Sequence, residues 1–285
     1  MSTTWSDADR RFMRQALRVA ERARGATKPN PMVGALLVRE GEVVGRGFHT
    51  WNGVQHAERL ALDEAGERAR GATLYINLEP CSHQGRTGPC ADALIAAGIS
   101  HVVAAMEDPN PRVAGAGFRK LNAAGIEVVL AREHTREAEK LNEAYCHFMR
   151  TGKPLVMLKA AVTLDGKIAA PEDNRGWITS ETARANVQQL RHAADAILTG
   201  IGTVLSDDSL LNDRSGLPRS RPLMRIVLDS QLRLPPASRM VASCQDDVTV
   251  VCTSAASPER RRALEQHGVR VVTLKCRARL CSVWS

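Results

Sequence analysis

Short apolar runs of strand character alternate with amphipathic helices along most of the chain, and this alternation limits the possible folds more than any other feature. Helical spacing of apolar residues follows the N-cap pair Ser6 and Asp9. Two β-type runs, 33–38 and 42–48, are separated by hairpin residues. Alternation on this scale predicts an α/β fold, in which a layered sheet carries helices on both faces.

The segment "RTGKP" at 150–154 ends one such series and precedes a second. Because glycine and proline break helices, we place a domain boundary here, between 1–150 and 151–285. The further helices expected in the first domain cover 56–68, 90–97, 115–124 and 133–149, and the further strands cover 73–78, 101–106 and 126–130. The second domain is expected to hold strands over 155–162, 196–200, 225–230, 248–253 and 269–274, and helices over 180–192 and 258–267.

Composition excludes several classes of protein. The chain has no run of 18 apolar residues, and its N-terminus lacks the apolar stretch of a signal peptide, so we expect a cytoplasmic protein with no membrane partner. Seven cysteines at irregular spacing favour thiols and metal ligands over disulfides. The net charge of +8 permits an anionic partner, but only 4% of residues are aromatic, so no nucleic-acid partner is expected.

One histidine and two cysteines, His56, Cys81 and Cys90, form a candidate zinc site. Imidazole and thiolate are ligands that zinc prefers, and three protein ligands with an open fourth position characterise a catalytic site. His83 is a possible fourth ligand, which leaves a closed structural site as an alternative. Glu58 favours catalysis, since a carboxylate beside a zinc-activated water can transfer its proton to a leaving amine.

The order of these residues is similar to that of zinc-dependent nucleobase deaminases, which carry H-x-E and then P-C-x-x-C. His56-Ala57-Glu58 and Pro80-Cys81 fit the pattern. Cys90 departs from it, because eight residues separate the two cysteines where the pattern has two.

That longer loop, "EPCSHQGRTGPC", resembles the signature of the bifunctional riboflavin-biosynthesis deaminase/reductase family, although Gly88 stands where the family has proline. "KPNPMVGALLV", "GFH" and "MEDPNPRVAGAG" resemble further family segments, so the likeness spans the first domain. The resemblance implies an N-terminal cytidine-deaminase-like α/β/α layered domain, followed by an α/β domain like dihydrofolate reductase.

The resemblance also implies a reaction and its residues. The family's deaminase removes the 2-amino group of a diaminopyrimidinone that carries a phosphoribosylamino arm, so a phosphoribosylated pyrimidine is the expected partner. His56, Cys81 and Cys90 match the Zn²⁺ ligands and Glu58 the proton shuttle. Asn30 and His49 match positions near the pyrimidine pocket; a turn-forming asparagine and a surface histidine are the alternatives.

For the second domain, the resemblance implies an NADPH-dependent reduction of the ribose ring. "LKAAVTLDGKIA", "WITS", "AILTGIGTVLSDD" and "RIVLDS" carry the likeness. The positions that match cofactor contacts are Ala161, Trp177, Thr203, Asp207 and Ser230. The positions that match substrate contacts are Arg191, Leu211 and Arg214. Guanidinium groups suit a ribose phosphate, although Arg191 at a helix end is equally well explained as a solvated charge.

The final residues, "KCRARLCSVWS", lose both hydrophobic periodicity and the family pattern after Leu274. We therefore expect a reductase domain that is truncated or frameshifted, poorly stable and impaired in NADPH binding and reduction. Arg175 also departs from the family, which commonly has serine there.

Two other functions remain open from the sequence. A nucleic-acid-editing zinc deaminase would use the same H-x-E core and the positive net charge. A non-catalytic structural zinc protein would need no acid/base at Glu58. A homo-oligomer is compatible with each of these functions.

Overall fold

The computed structural model describes residues 6–85, 87–169 and 177–275. The chain divides into two compact units, Met1–Ala160 and Ala161–Ser285. The expected truncation after Leu274 concerns a tail that, from residue 276 onward, lies outside the described residues, as does Arg175. No helix in the described part of the chain is both long and apolar enough to cross a bilayer.

The first unit is built on a mixed sheet of five strands in the order β2-β1-β3-β4-β5. β2 and β3 pair antiparallel with β1, whereas β3, β4 and β5 run parallel. The elements are α1 (Asp7–Glu21), β1 (Gly34–Arg39), β2 (Glu42–Phe48), α2 (Ala57–Ala65), a 3-10 turn (Gly66–Ala69), β3 (Thr73–Ile76), α3 (Cys90–Ala96), β4 (His101–Ala104), α4 (Ala116–Ala123), β5 (Glu127–Leu130), a second 3-10 turn (Arg132–His134), α5 (Thr135–Leu141) and α6 (Glu143–Thr151).

Both faces of this sheet are buried. Successive residues of β1 point to opposite faces, so Leu37 packs with α2, α3 and α4, while Leu36 packs with α1, α5 and α6. The prediction of a layered sheet with helices on both faces is therefore confirmed. Each face has its own cluster of buried side chains, which gives the unit a two-sided core.

Two glycines in β2 bring helix α2 unusually close to the sheet. A Cβ atom at Gly45 would lie 2.1 Å from the Ala61 carbonyl oxygen, and one at Gly47 would lie 2.2 Å from the Ala57 carbonyl oxygen. Any side chain at either position would push the helix away, because these atoms belong to rigid backbone. The start of α2, where His56 and Glu58 lie, is thus fixed by direct backbone packing.

The second unit contains a sheet of four parallel strands in the order β6-β7-β8-β9. A single cluster of buried residues, including Val227, Met240 and Val250, forms its core. Its elements are α7 (Glu181–Ala193), β6 (Ala196–Gly200), α8 (Ile201–Asp207), β7 (Met224–Leu228), α9 (Arg239–Ala242), β8 (Val248–Thr253), α10 (Pro258–Glu265) and β9 (Arg270–Leu274).

Three sequence predictions differ from the structure. The strand predicted over 155–162 is wrong: this segment pairs with no strand among the described residues, and Leu158 is 93% exposed. The helix predicted over 133–149 is broken at Asn142, whose side chain accepts from the backbone N–H of Met32 and donates to its carbonyl oxygen. Helices α8 and α9 were not predicted, because each is too short to show a periodic pattern.

Candidate metal centre and neighbouring residues

The three predicted zinc ligands converge at one point of the first unit. One ligand atom from each of His56, Cys81 and Cys90 lies within 4.8 Å of the others. The Nδ1 atom of His56 is 3.5 Å from the sulfur of Cys81 and 3.3 Å from that of Cys90. One imidazole and two thiols match the donor set that zinc prefers, so this cluster fits a zinc ion.

Chain elements that meet at the end of the sheet place these ligands. His56 is the N-cap residue of α2, and Cys90 is the first residue of α3. Cys81 lies in the loop that follows β3, where its carbonyl oxygen accepts from Ala91 and its sulfur accepts from the N–H of Cys90 at 3.3 Å. The two cysteines are therefore held together by backbone bonds as well as by their side chains.

The two thiols form one coupled pair. The hydrogen bond from Cys90, together with contacts to His56, overcomes burial and lowers the pKa of Cys81 to about 4. The same hydrogen bond and burial raise the pKa of Cys90. One thiolate thus forms readily in this cluster, and a thiolate is the form of cysteine that binds a metal.

Glu58 lies beside the cluster but is not one of its ligands. Its side chain is 4% exposed and forms a hydrogen bond with the thiol of Cys90. Burial, followed by the charge of Cys81, raises the pKa of Glu58 to about 7. A carboxyl group with this pKa can both accept and release a proton near neutral pH, as general acid/base chemistry requires.

His83 does not belong to the cluster of ligand atoms found in the described part of the chain. The closed four-ligand site considered for the sequence therefore lacks its proposed fourth residue. A three-ligand arrangement leaves one position for water or substrate, as in catalytic zinc sites.

Asn30 and His49 lie next to the cluster. The amide nitrogen of Asn30 is 3.0 Å from Nε2 of His49, whose Nδ1 is 3.0 Å from the carbonyl oxygen of Gln55. The rings of His49 and His56 meet edge to face, with centroids 5.3 Å apart. His49 is 4% exposed, so the alternative of a surface histidine does not hold. Asn30 does form a turn, because its N–H donates to the carbonyl oxygen of Thr27.

The three residues predicted to contact substrate in the second unit lie around one loop. Arg191, in the last turn of α7, donates from Nη1 to the carbonyl oxygen of Asn212 at 3.0 Å. Leu211 has a left-handed backbone with φ of 51°, and the N–H of Arg214 donates to the side chain of Gln188. Burial lowers the pKa of Arg191, so its guanidinium is more than a solvated charge.

Asp213 ties this loop to helix α7. Its carboxylate lies 3.0 Å from Nδ1 of His192 and 3.1 Å from Nη1 of Arg219, and it also accepts from the N–H of Ser215. Arg219 in turn donates to carbonyl oxygens at the end of α7, including that of Ala194. Sequence patterns gave no sign of this network, because its members are separated along the chain.

The positions predicted to contact the cofactor fall in two groups. Thr203 lies on α8, which begins directly after β6, and Ser230 lies two residues beyond the end of β7. Gly200 and Leu228, the last residues of these two parallel strands, are paired. Thr203, Asp207 and Ser230 thus follow the carboxyl ends of adjacent strands, where open α/β sheets bind ligands. Ala161 and Trp177, in contrast, lie outside the helices and strands, and Trp177 is 77% exposed.

One acidic residue near the metal cluster was not singled out from the sequence. Asp108 follows β4, is partly buried, and accepts a hydrogen bond from the Tyr145 hydroxyl at 3.0 Å. Burial raises the pKa of Asp108, whereas hydrogen bonds from Asn110 and Tyr145 lower it. Its place after a parallel strand is the signal that could have identified it.

Two family models match the chain. The cytidine and deoxycytidylate deaminase zinc-binding region matches residues 6–106, and the RibD C-terminal domain matches residues 154–281. With the layered fold and the three-ligand cluster, the first match defines a zinc-binding deaminase domain joined to a second α/β domain.

The chain is 43% identical to the riboflavin biosynthesis protein RibD of Actinobacillus pleuropneumoniae over 276 residues, which cover 96% of this chain and 72% of that relative. A solved structure of Acinetobacter baumannii RibD is 41% identical and superposes with a TM-score of 0.83 over 96% of this chain and 76% of that one. The chain therefore belongs to the RibD family. It is an enzyme of riboflavin biosynthesis with a deaminase and a reductase part, and zinc and NADPH are its cofactors.

A third relative is described as a diaminohydroxyphosphoribosylaminopyrimidine deaminase/5-amino-6-(5-phosphoribosylamino)uracil reductase from Thermotoga maritima. Its structure is 35% identical, with a TM-score of 0.76 over 93% of this chain and 80% of that one. The RibD C-terminal match continues to residue 281, beyond Leu274, which argues against the expected loss of the family pattern at that point. The expectation of a truncated or frameshifted reductase, which rested on loss of both the periodicity and the family pattern, therefore has the family match against it.

Proposed function

We propose that residues 1–150 catalyse the hydrolytic deamination of 2,5-diamino-6-(5-phosphoribosylamino)pyrimidin-4-one, releasing ammonia from ring carbon 2. The observation that supports this proposal best is the position of Glu58, buried beside three zinc-type ligands and outside their shell. The likeness to the Thermotoga maritima enzyme supports the choice of substrate.

The zinc ligands and Glu58 have different roles in this reaction. His56, Cys81 and Cys90 would hold the zinc ion, which supplies an activated water by lowering its pKa. Glu58 accepts the proton of the attacking water as the new C–O bond forms at ring carbon 2. It then donates that proton to the departing amino group, so that the C–N bond breaks and ammonia leaves. The oxygen left on ring carbon 2 is a hydroxyl group, and transfer of its proton to the neighbouring ring nitrogen gives the carbonyl form.

Asn30 and His49 are our candidates for holding the pyrimidine ring. Their mutual hydrogen bond and the contact of His49 with the ring of His56 support this role. The carbonyl oxygen of Gln55 at His49 Nδ1 favours a proton on that nitrogen, which leaves Nε2 as an acceptor. That acceptor takes the side-chain N–H of Asn30, so His49 orients the Asn30 amide for contact with the pyrimidine ring.

Residues 151–285 are our candidate for the NADPH-dependent step, reduction of the ribosyl group to ribityl. The RibD C-terminal match supports this assignment. Thr203, Asp207 and Ser230, with Ala161 and Trp177, are proposed cofactor contacts. Arg191, Leu211 and Arg214 are proposed substrate contacts, and the grouping of Arg191 with the 211–214 loop supports that role.

An ammonia-release assay on the diaminopyrimidine, with zinc measured on the same sample, tests the deaminase. We expect turnover that depends on bound zinc. A zinc-loaded protein that releases no ammonia from this substrate would overturn the proposal. Deamination of tRNA or single-stranded DNA with steep salt dependence would instead favour the editing alternative.

We also propose that the enzyme acts in the cytoplasm and binds neither nucleic acid nor membrane; a homo-oligomer is compatible with this proposal. Cell fractionation and light scattering test the location and the oligomeric state. Recovery of the protein in a membrane or nucleic-acid fraction would contradict this part.

A further inference from the structure

Glu79 is a nearly fully buried carboxylate in the first unit that the deaminase chemistry described above does not use. It follows β3, is 4% exposed, and lies two residues before the zinc-type ligand Cys81. Its Oε2 atom accepts from the N–H of Asp108 at 3.1 Å and of Gly115 at 2.9 Å. Its Oε1 atom accepts from the N–H of Gly117 at 2.7 Å and of Phe118 at 3.4 Å.

All four donors belong to one segment, residues 107–118, which includes the start of helix α4. The N-cap residue of this helix is Gly115, which has no side chain to accept from the first N–H groups. Glu79 supplies the missing acceptor from a distant part of the chain. Its negative charge also lies at the positive end of the helix dipole.

The 107–118 segment packs closely against residues 79–90, which we call the cysteine loop. A Cβ atom at Gly117 would lie 2.0 Å from the carbonyl oxygen of Pro80, the residue between Glu79 and Cys81. The cysteine loop, which carries Cys81 and Cys90, and the 107–118 segment are therefore joined through Glu79.

We propose that Glu79 is a positioning residue of the deaminase, which holds the 107–118 segment against the cysteine loop and so sets the shape of the substrate pocket. This inference rests on the proposed deaminase function. Within the part of the chain that the structure describes, Glu79 forms no hydrogen bond with the three ligand residues, and its four bonds all lead to the 107–118 segment. Its loss is expected to weaken substrate binding more than zinc binding or the chemical step.

Glu79→Gln tests the inference. The amide keeps one acceptor oxygen, but its NH₂ group cannot accept, so two backbone donors of the segment lose their partner. We expect KM to rise about tenfold with kcat nearly unchanged and zinc content equal to that of the wild type. Hydrogen exchange at the amides of Asp108, Gly115 and Gly117 should become faster. Glu107→Gln, an exposed change in the same segment, is the matched control.

The outcomes separate this inference from the proposed function. An unchanged KM, or zinc content and kcat that fall together, would overturn a positioning role. Unchanged exchange at the three amides would show that Glu79 does not hold the segment through these hydrogen bonds. That conclusion would stand even if the wild type released no ammonia, because a lack of ammonia release counts only against the deaminase function. If Glu79→Gln does not fold, Glu79→Asp keeps the charge on a shorter side chain, and the same split between KM and kcat is expected.

Discussion

The two units differ in how their sequence-predicted residues are brought together. In the first unit, all six such residues lie in one neighbourhood, at the end of a sheet that is covered on both faces. In the second, Arg191 and the 211–214 loop are joined, but Trp177 is 77% exposed. A site assembled from buried and partly buried side chains is positioned by the core beside it, because any displacement would disturb close packing.

The cores of the two units also differ, and the first unit buries its apolar side chains more completely. The second unit has one cluster of buried residues, and several of its large apolar side chains are exposed, among them Leu198 on β6. The segment 155–162, which precedes most of this unit, is apolar but unpaired among the described residues. Burial of apolar surface stabilises a fold by roughly 25 cal/mol per Å², so we expect the first unit to be the more stable.

Glu58→Gln is expected to have the largest effect and tests whether the compact first site performs chemistry. The amide cannot transfer a proton, so kcat for ammonia release should fall by roughly 10²- to 10⁴-fold. Zinc content should stay at the wild-type level, because Glu58 is not in the ligand cluster. Glu67→Gln, an exposed change just after α2, is the control. Undiminished turnover would show that Glu58 does not carry the proton in this reaction.

Arg225→Met tests whether the second unit can be destabilised alone. Arg225 is 2% exposed and forms a two-pronged pair with Asp247, each N–O distance being 2.8 Å. Removal of one partner of a buried pair costs about 3–5 kcal/mol. Hydrogen exchange should speed up in β6–β9 while ammonia release is retained. Arg270→Met on the exposed edge strand β9 should change neither, and equal loss of protection in β3 would show that the units unfold together.

Features defined by residue type were predictable from the sequence, whereas those defined by distant contacts were not. His56, Cys81, Cys90 and Glu58 could be identified because zinc chemistry requires those side chains, and the strands of the first sheet because their runs are apolar. The break at Asn142 depends on Met32, 110 residues away, and no local pattern contains it. The apolar run 155–162 has strand character, but a strand also needs a partner, and the sequence of the run does not specify one.

The acid sensitivity of the second unit is expected to depend on Asp213. Burial disfavours its charge, but hydrogen bonds from Ser215, His192 and Arg219 outweigh burial and lower its pKa from 3.8 to about 2. A depressed pKa in the folded state means that the ionised group stabilises the unit above about pH 4, and that this contribution is lost as the pH falls toward 2. Asp213→Asn should reduce stability at neutral pH and flatten its decline in acid.

Urea unfolding at several pH values, followed by hydrogen exchange in α7, measures this effect. Asp246→Asn, in an exposed turn of the same unit, should leave the acid profile as in the wild type. The network would be shown to be unimportant if Asp213→Asn kept the wild-type slope of stability against pH.

The smallest expected effect concerns Gly88, where the family has proline. The guanidinium of Arg59 donates from Nη2 to the Gly88 carbonyl oxygen at 3.4 Å and would lie 3.3 Å from a Cβ atom at position 88. We expect Gly88→Pro to be neutral or slightly destabilising beside Arg59.

In an Arg59→Ala background the crowding is removed, and proline should stabilise the fold by about 0.4–1 kcal/mol, because it restricts the unfolded chain. A double-mutant cycle on the free energy of unfolding, with zinc release to a chelator as a second reading, should give a coupling of about 0.5 kcal/mol. Strict additivity would show that Arg59 and Gly88 act independently. The conformation of the cysteine loop would then depend only on its own backbone bonds, such as those to Cys81, and on its metal ligands.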